Sequence, residues 1–237
     1  MNLKSTSIYQ GVFPILTLFL ITSPFALAKE KHQDDPTKIV TKLGFGYNDD
    51  LTISGSIGLD PVRMLSMRTS ADGDDWRLGG SWLFPVGIVN VNFSRTEYDH
   101  GAYKNNYSIG TFIPLSYFGI EPMGWQIFPM AGYAYNDGEF AVEQHNEIQS
   151  GDYILMSNSS HSGYLGAFAL KPLTDTWSIL AFGGGALGSD NYSSYWGGGG
   201  LSYKINEHQS FNFYGVISED DFGHNEKVGF SYTYEFN

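Results

Sequence analysis

Residues 227–236 read Lys-Val-Gly-Phe-Ser-Tyr-Thr-Tyr-Glu-Phe, with only Asn237 after them. Val228, Phe230, Tyr232, Tyr234 and Phe236 take every second position, and Lys227, Gly229, Ser231, Thr233 and Glu235 fill the places between. Side chains of a strand point to opposite faces in turn, so this alternation describes a β-strand with two unlike faces. One face is large and apolar. The other is small, polar or charged.

Working upstream, the same period recurs. From Leu51 to Leu59, Leu51, Ile53, Gly55, Ile57 and Leu59 alternate with Thr52, Ser54, Ser56 and Gly58. Comparable segments of about ten residues occupy 38–47, 51–59, 63–71, 75–84, 87–98, 105–118, 125–136, 161–171, 176–188, 195–205, 209–218 and 226–236. Twelve strands are expected, with eight or ten if some of the segments form hairpins beyond the barrel. The 29 Gly, 17 Phe and 16 Tyr fit strands and turns and leave no amphipathic helix to compete.

The connections separate a membrane barrel from a soluble sandwich. Those after odd-numbered segments are polar and often long, among them Asp99–Lys104, Asp137–Ser160 and Glu219–Asn225. Those after even-numbered segments are tight, such as Asp60-Pro61-Val62, Pro85-Val86 and Asn206–His208. A barrel threaded through a membrane with both termini on one side has this asymmetry, and a sandwich has no reason for it.

The terminal segment resembles the C-terminal strand of Gram-negative outer-membrane β-barrel proteins, an alternating aromatic strand ending in Phe. The resemblance implies an all-β transmembrane antiparallel up-and-down barrel in the bacterial outer membrane. It also implies that Phe230, Tyr232, Tyr234 and Phe236 form the signal read by the barrel-assembly machinery during biogenesis. Outer-membrane lipid and lipopolysaccharide are then the partners of the apolar face.

The N-terminus agrees. Lys4 is the only charge in the first 28 residues, Val12–Ile21 is an apolar run, and Ala26-Leu27-Ala28 is a small-x-small cleavage site. Residues 1–28 are expected to be a secretory signal peptide rather than a membrane span, which needs roughly 20 apolar residues. Residues 29–37 then form a short periplasmic leader, and 38–237 the barrel.

Composition excludes several functions. The chain has no Cys, hence neither disulfides nor thiolate metal sites. With 13 Lys and Arg against 25 Asp and Glu, it lacks the basic surplus of a nucleic-acid binder. No cofactor motif is present. Gly183-Gly184-Gly185 and Gly197–Gly200 precede no helix or Lys-Ser/Thr, so they are not phosphate loops; in neighbouring strands they permit strong bending or leave room for a bulky residue across the lumen. Asp72-Gly73-Asp74-Asp75 lacks the twelve-residue loop and terminal Glu of a calcium-binding EF-hand. No metal site is expected.

Face assignment gives the candidate functional residues. Lys42, Arg68, Arg77, Lys204, Lys227 and Glu235 fall on the lumenal face with Asn90, Asn92, Gln126 and Asn212, while the acidic surplus lies in or beside the outer loops. A lumen with more basic than acidic groups suits passive passage of a small solute with a mild anion preference. A plugged structural or surface-interaction barrel is the alternative. A hydrolase is a third reading, with His161 between Ser160 and Ser162, although strand neighbours point to opposite faces and cannot easily pair. Aromatic residues near strand ends, including Tyr47, Trp82, Tyr98, Tyr135 and Tyr195, are expected in two interfacial girdles.

Overall fold

The computed structural model describes residues 31–143 and 153–236. They form twelve strands: β1 (Thr41–Asn48), β2 (Asp50–Asp60), β3 (Arg63–Ser70), β4 (Asp75–Phe84), β5 (Gly87–Glu97), β6 (Tyr103–Phe112), β7 (Gln126–Glu143), β8 (Tyr153–Pro172), β9 (Trp177–Gly188), β10 (Ser193–Lys204), β11 (Gln209–Asp220) and β12 (Gly223–Phe236). Each pairs antiparallel with its sequence neighbours, and β1 pairs with β12 from Thr41↔Phe236 to Tyr47↔Phe230. The sheet is a closed barrel. Its even strand count brings the start of β1 and the end of β12 to one rim, called here the terminal rim; the opposite one is the loop rim.

Strand boundaries differ from the sequence reading where a turn or an extension intervenes. β6 ends at Phe112 rather than near residue 118, because Pro114 removes a ladder donor and Leu115–Phe118 winds into a short 3-10 turn. A second such turn, Pro122–Gly124, completes the longest connection on the terminal rim. β7 and β8 run well past the expected ends, pairing as far as Glu143↔Tyr153, so much of the segment read as a loop between 137 and 160 is a projecting hairpin. At the tight loop-rim link between β1 and β2, Asp49 takes φ 78°, a left-handed conformation that a short polar side chain tolerates.

The apolar set faces outward, as alternation demands. Leu43, Phe45 and Tyr47 are exposed, whereas Gly44, Gly46 and Asn48 between them are buried in the barrel. On β12, Phe230, Tyr232, Tyr234 and Phe236 all lie on the outer face, opposite Tyr47, Phe45, Leu43 and Thr41. A surface this apolar is stable only in hydrocarbon, and it is the exterior of a membrane barrel. Among the described residues no helix is long and apolar enough to span a membrane.

The lumen is not uniformly small and polar. From β5 to β10 its wall carries Ile88, Phe128 and Leu170, each at most 1 % exposed, with Phe168, Phe182 and Trp196 on the same inward register. Glycine makes room for these rings: a Cβ on Gly184 would lie 2.6 Å from the Trp196 ring, and one on Gly198 2.6 Å from Phe182. The two glycine runs thus floor an aromatic half-core. The other wall, from β11 through β12 to β4, is polar, with Ser54, Ser56, Ser66, Ser81 and Ser231 facing inward, and Asn90 continues it onto the edge of β5.

These two faces predict opposite responses. Phe128→Ala should lower the unfolding free energy by about 3–5 kcal/mol through lost burial and a residual cavity. Leu165→Arg, on the lipid face midway along the barrel, should cost about 2–4 kcal/mol. Urea titration of barrels folded in detergent or lipid, followed by the loss of heat-modifiable gel migration, measures both.

Candidate functional site

Strand register places every lumenal residue named above on the inner face. Lys42 lies opposite Glu235 across the β1–β12 seam and opposite Ser56 on β2. Arg68 and Arg77 are direct cross-strand partners on β3 and β4. Lys204 pairs with Ser210 and Lys227 with Val216. The six residues do not form one cluster. They divide between the two rims.

At the terminal rim, the chain ahead of β1 turns into the barrel mouth. Thr37 is 1 % exposed, with its N–H and hydroxyl both donating to Asp35, while Lys31 Nζ donates to Thr37 Oγ1 at 2.7 Å. Gln33 reaches Ser202 at 3.5 Å, and His32 Nε2 lies 3.0 Å from Ser178 Oγ, both serines being buried on the lumenal wall. Lys38 pairs with Glu235 at 2.6 Å. Acidic Asp34 and Asp35 therefore enter the mouth that also holds Lys38, Lys42 and Lys204. Nothing in the polar sequence of residues 29–37 signalled this, because residues 31–37 bind by hydrogen bonds and charge rather than by an apolar stripe.

At the loop rim, a strap crosses the lumen. Lys104 on β6 pairs with Asp220 on β11, nearly diametrically across the barrel, and Asp220 Oδ1 also accepts from the N–H groups of Phe222 and Gly223. Beside the strap, Ala186, Tyr192 and Phe222 are buried together, packed by Tyr98, Phe140, Tyr164 and Trp196. Tyr98 thus belongs to an inner lid, not to an interfacial girdle. Burial pushes its phenol well above the usual range and that of Tyr192 up to about 12, with the neighbouring Asp220 carboxylate adding to both.

The strap and lid cover the β5–β11 side and leave the polar side open. There a cavity of about 360 Å³ opens at the loop rim between Asp49, Asp50, Asp72, Asp74, Glu97 and Asp99. Below it, a chamber of about 140 Å³ is lined by Arg68, Arg77, Lys227, Asp75, Asn48 and Tyr214. Among the described residues, no carboxylate lies within 4.0 Å of Arg68, Arg77 or Lys227.

His161 lies on the outer face of β8, opposite Tyr135, with its ring against Tyr133 and Tyr135 and Nδ1 bonded to the Tyr133 hydroxyl. Its backbone N–H, rather than its ring, meets Ser189 Oγ at 3.1 Å. Among the described residues it makes no Ser–His pair, and its surroundings are those of an interfacial aromatic.

No family model matches the chain, and no curated protein sequence does. Among solved structures, it is similar to the translocator domain of the autotransporter NalP from Neisseria meningitidis, with 11 % identity, a TM-score of 0.51, and coverage of 83 % of this chain and 86 % of that one. It also aligns with the NanC porin at 9 % identity and TM-score 0.47, covering 83 % and 99 % of the two chains. An outer-membrane channel from Pseudomonas putida F1 aligns at 8 % identity and TM-score 0.46, covering 87 % and 100 %. The architecture is that of a bacterial outer-membrane β-barrel. At these identities the likeness concerns the fold alone.

The seated leader has a pH-dependent element. His32 Nδ1 accepts from the Asp34 N–H at 3.2 Å, which requires that nitrogen to be unprotonated. Burial holds the imidazole below its usual range, Asp34 at 3.5 Å opposes this, and Lys204 reinforces it. Asp35 and Lys38 act in opposite senses from the same mouth. Since the seated imidazole has the lower pKa, seating is at full strength above about pH 6.5 and weakens as pH falls through and below that value. The chain has no Cys, so a nitroxide on Pro36→Cys reports one site. Its spectrum should become more mobile between pH 7.5 and 5.5, and His32→Gln should flatten that response.

Proposed function

We propose that the protein is an integral outer-membrane barrel that passes small solutes along the polar wall of its lumen, with a mild preference for anions. The observation that carries this reading is the split lumen. One half is filled by aromatic residues, while the other offers a polar strip from the loop-rim vestibule past Arg68, Arg77 and Lys227 to Lys42 at the opposite mouth. In this orientation the loop rim faces outward and the terminal rim faces the periplasm, as the positions of the chain ends favour. Phe230, Tyr232, Tyr234 and Phe236 would serve assembly, and lipid and lipopolysaccharide would surround the outer face.

In this arrangement the leader acts as the closure of the periplasmic mouth. The second reading, a permanently plugged structural barrel, is favoured by the same contacts, namely Lys38 with Glu235, His32 with Ser178, and Gln33 with Ser202. Conductance separates the two. In planar bilayers, removal of residues 31–37 should raise single-channel current several-fold over the protein retaining them. Arg68→Ala with Arg77→Ala should reduce the anion preference of that current. No current with or without the leader excludes passage; cation selectivity indifferent to both arginines excludes the assigned preference.

A further inference from the structure

Charge is sorted by depth on the open side of the lumen. The vestibule carries acids from three loop-rim connections, whereas Arg68 and Lys227 lie at its boundary with the chamber and Arg77 lines the chamber alone. Asp75 and Arg77 are two residues apart on one strand face, so about 7 Å separates the layers along β4. The two cavities share Asn48, Arg68, Asp75, Asn225 and Lys227 and so adjoin, with Tyr98 of the lid at the edge of the first.

The deep layer holds one carboxylate, Asp75, against three basic groups, and among the described residues it makes no ion pair within 4.0 Å with any of them. Arg68 and Arg77 face each other directly across β3 and β4, a like-charge pairing that opposes strand association. Their further cross-strand partners on this face, Ser54 and Ser94, bring no negative charge. Above them Glu97 pairs with Arg95, and Glu226 has, among the described residues, only His224, at 4.0 Å. Asp49, Asp50, Asp72, Asp74 and Asp99 have no basic partner within 4.0 Å among the described residues. The crowding is felt: Asp72 pushes the Asp74 carboxyl above its ordinary range, with smaller pushes from Glu97 and Asp50.

A bare anion suits the deep layer but must cross the acidic layer, and a bare cation suits the outer layer but meets three positive groups beneath it. A solute carrying both charges satisfies the two layers at once. We infer that the vestibule and chamber together bind a small zwitterion, its carboxylate on Arg68, Arg77 and Lys227 and its ammonium among Asp72, Asp74 and Asp50. Guanidinium groups offer paired N–H donors that suit a carboxylate, and clustered carboxylates suit an ammonium with three donors. The inference rests on the channel reading and names its solute class.

The test uses three probes with one carbon skeleton: γ-aminobutyrate, butyrate and butylammonium, titrated calorimetrically into the folded mature barrel in detergent. The expected result is saturable binding of γ-aminobutyrate at least ten-fold tighter than either singly charged probe. Arg68→Gln with Lys227→Gln should weaken it ten-fold or more, as should Asp72→Asn with Asp74→Asn, in barrels that keep their heat-modifiable migration. Butyrate or butylammonium binding as tightly as γ-aminobutyrate would overturn the inference, and so would saturable binding of none. The wild-type comparison needs no variant to fold. Current without zwitterion binding overturns this inference alone, whereas zwitterion binding without current in any form overturns the channel reading and leaves a ligand site in a closed barrel.

Discussion

In hydrocarbon an unpaired backbone N–H or C=O has no water to turn to, and the whole molecule answers to that constraint. The β1–β12 seam, running from Thr41↔Phe236 to Tyr47↔Phe230, removes the last free edge. Closure then fixes which way every side chain points. Leu43, Phe45 and Tyr47 go to lipid because their neighbours Gly44 and Gly46 go inward, and the same parity carries Arg68 and Arg77 into the lumen. A slip of one residue anywhere on the circuit would put a strand's charges in lipid.

Local pattern made the barrel legible because lipid enforces alternation on every strand. The terminal segment alone gave face, period and strand end. Boundaries were less legible where pairing outruns the lipid zone. β7 and β8 keep their ladder to Glu143↔Tyr153 through polar residues that read as a loop, since water permits polar side chains on both faces of a projecting hairpin. β6 stopped early at Pro114 for a backbone reason that alternation does not encode.

The lumenal residues were legible one at a time, by parity, but not as groups. That Arg68 meets Arg77 depends on the register between β3 and β4, and that Lys104 meets Asp220 depends on the curvature of the whole barrel; neither quantity is local. The leader was hidden for a different reason. His32, Gln33 and Asp34 bear the marks of a solvated segment, and only the serines waiting at Ser178 and Ser202 convert that polarity into a seat. The filled half of the lumen was half visible: the glycine runs left bending and space as equal readings, and only the rings of Trp196 and Phe182 decide for space.

The bond between Lys104 and Asp220 also bears on the barrel as an elastic object. A ring of hydrogen-bonded strands flattens toward an ellipse more readily than it stretches, since flattening bends the sheet without breaking its ladder. A tie across the diameter at one rim resists widening along its own direction, while the deeper aromatic packing between β5 and β10 resists compression below it. The untied polar wall, from β12 round to β4, is left as the compliant arc. Lateral pressure from the bilayer would therefore be taken up on the side that holds the vestibule.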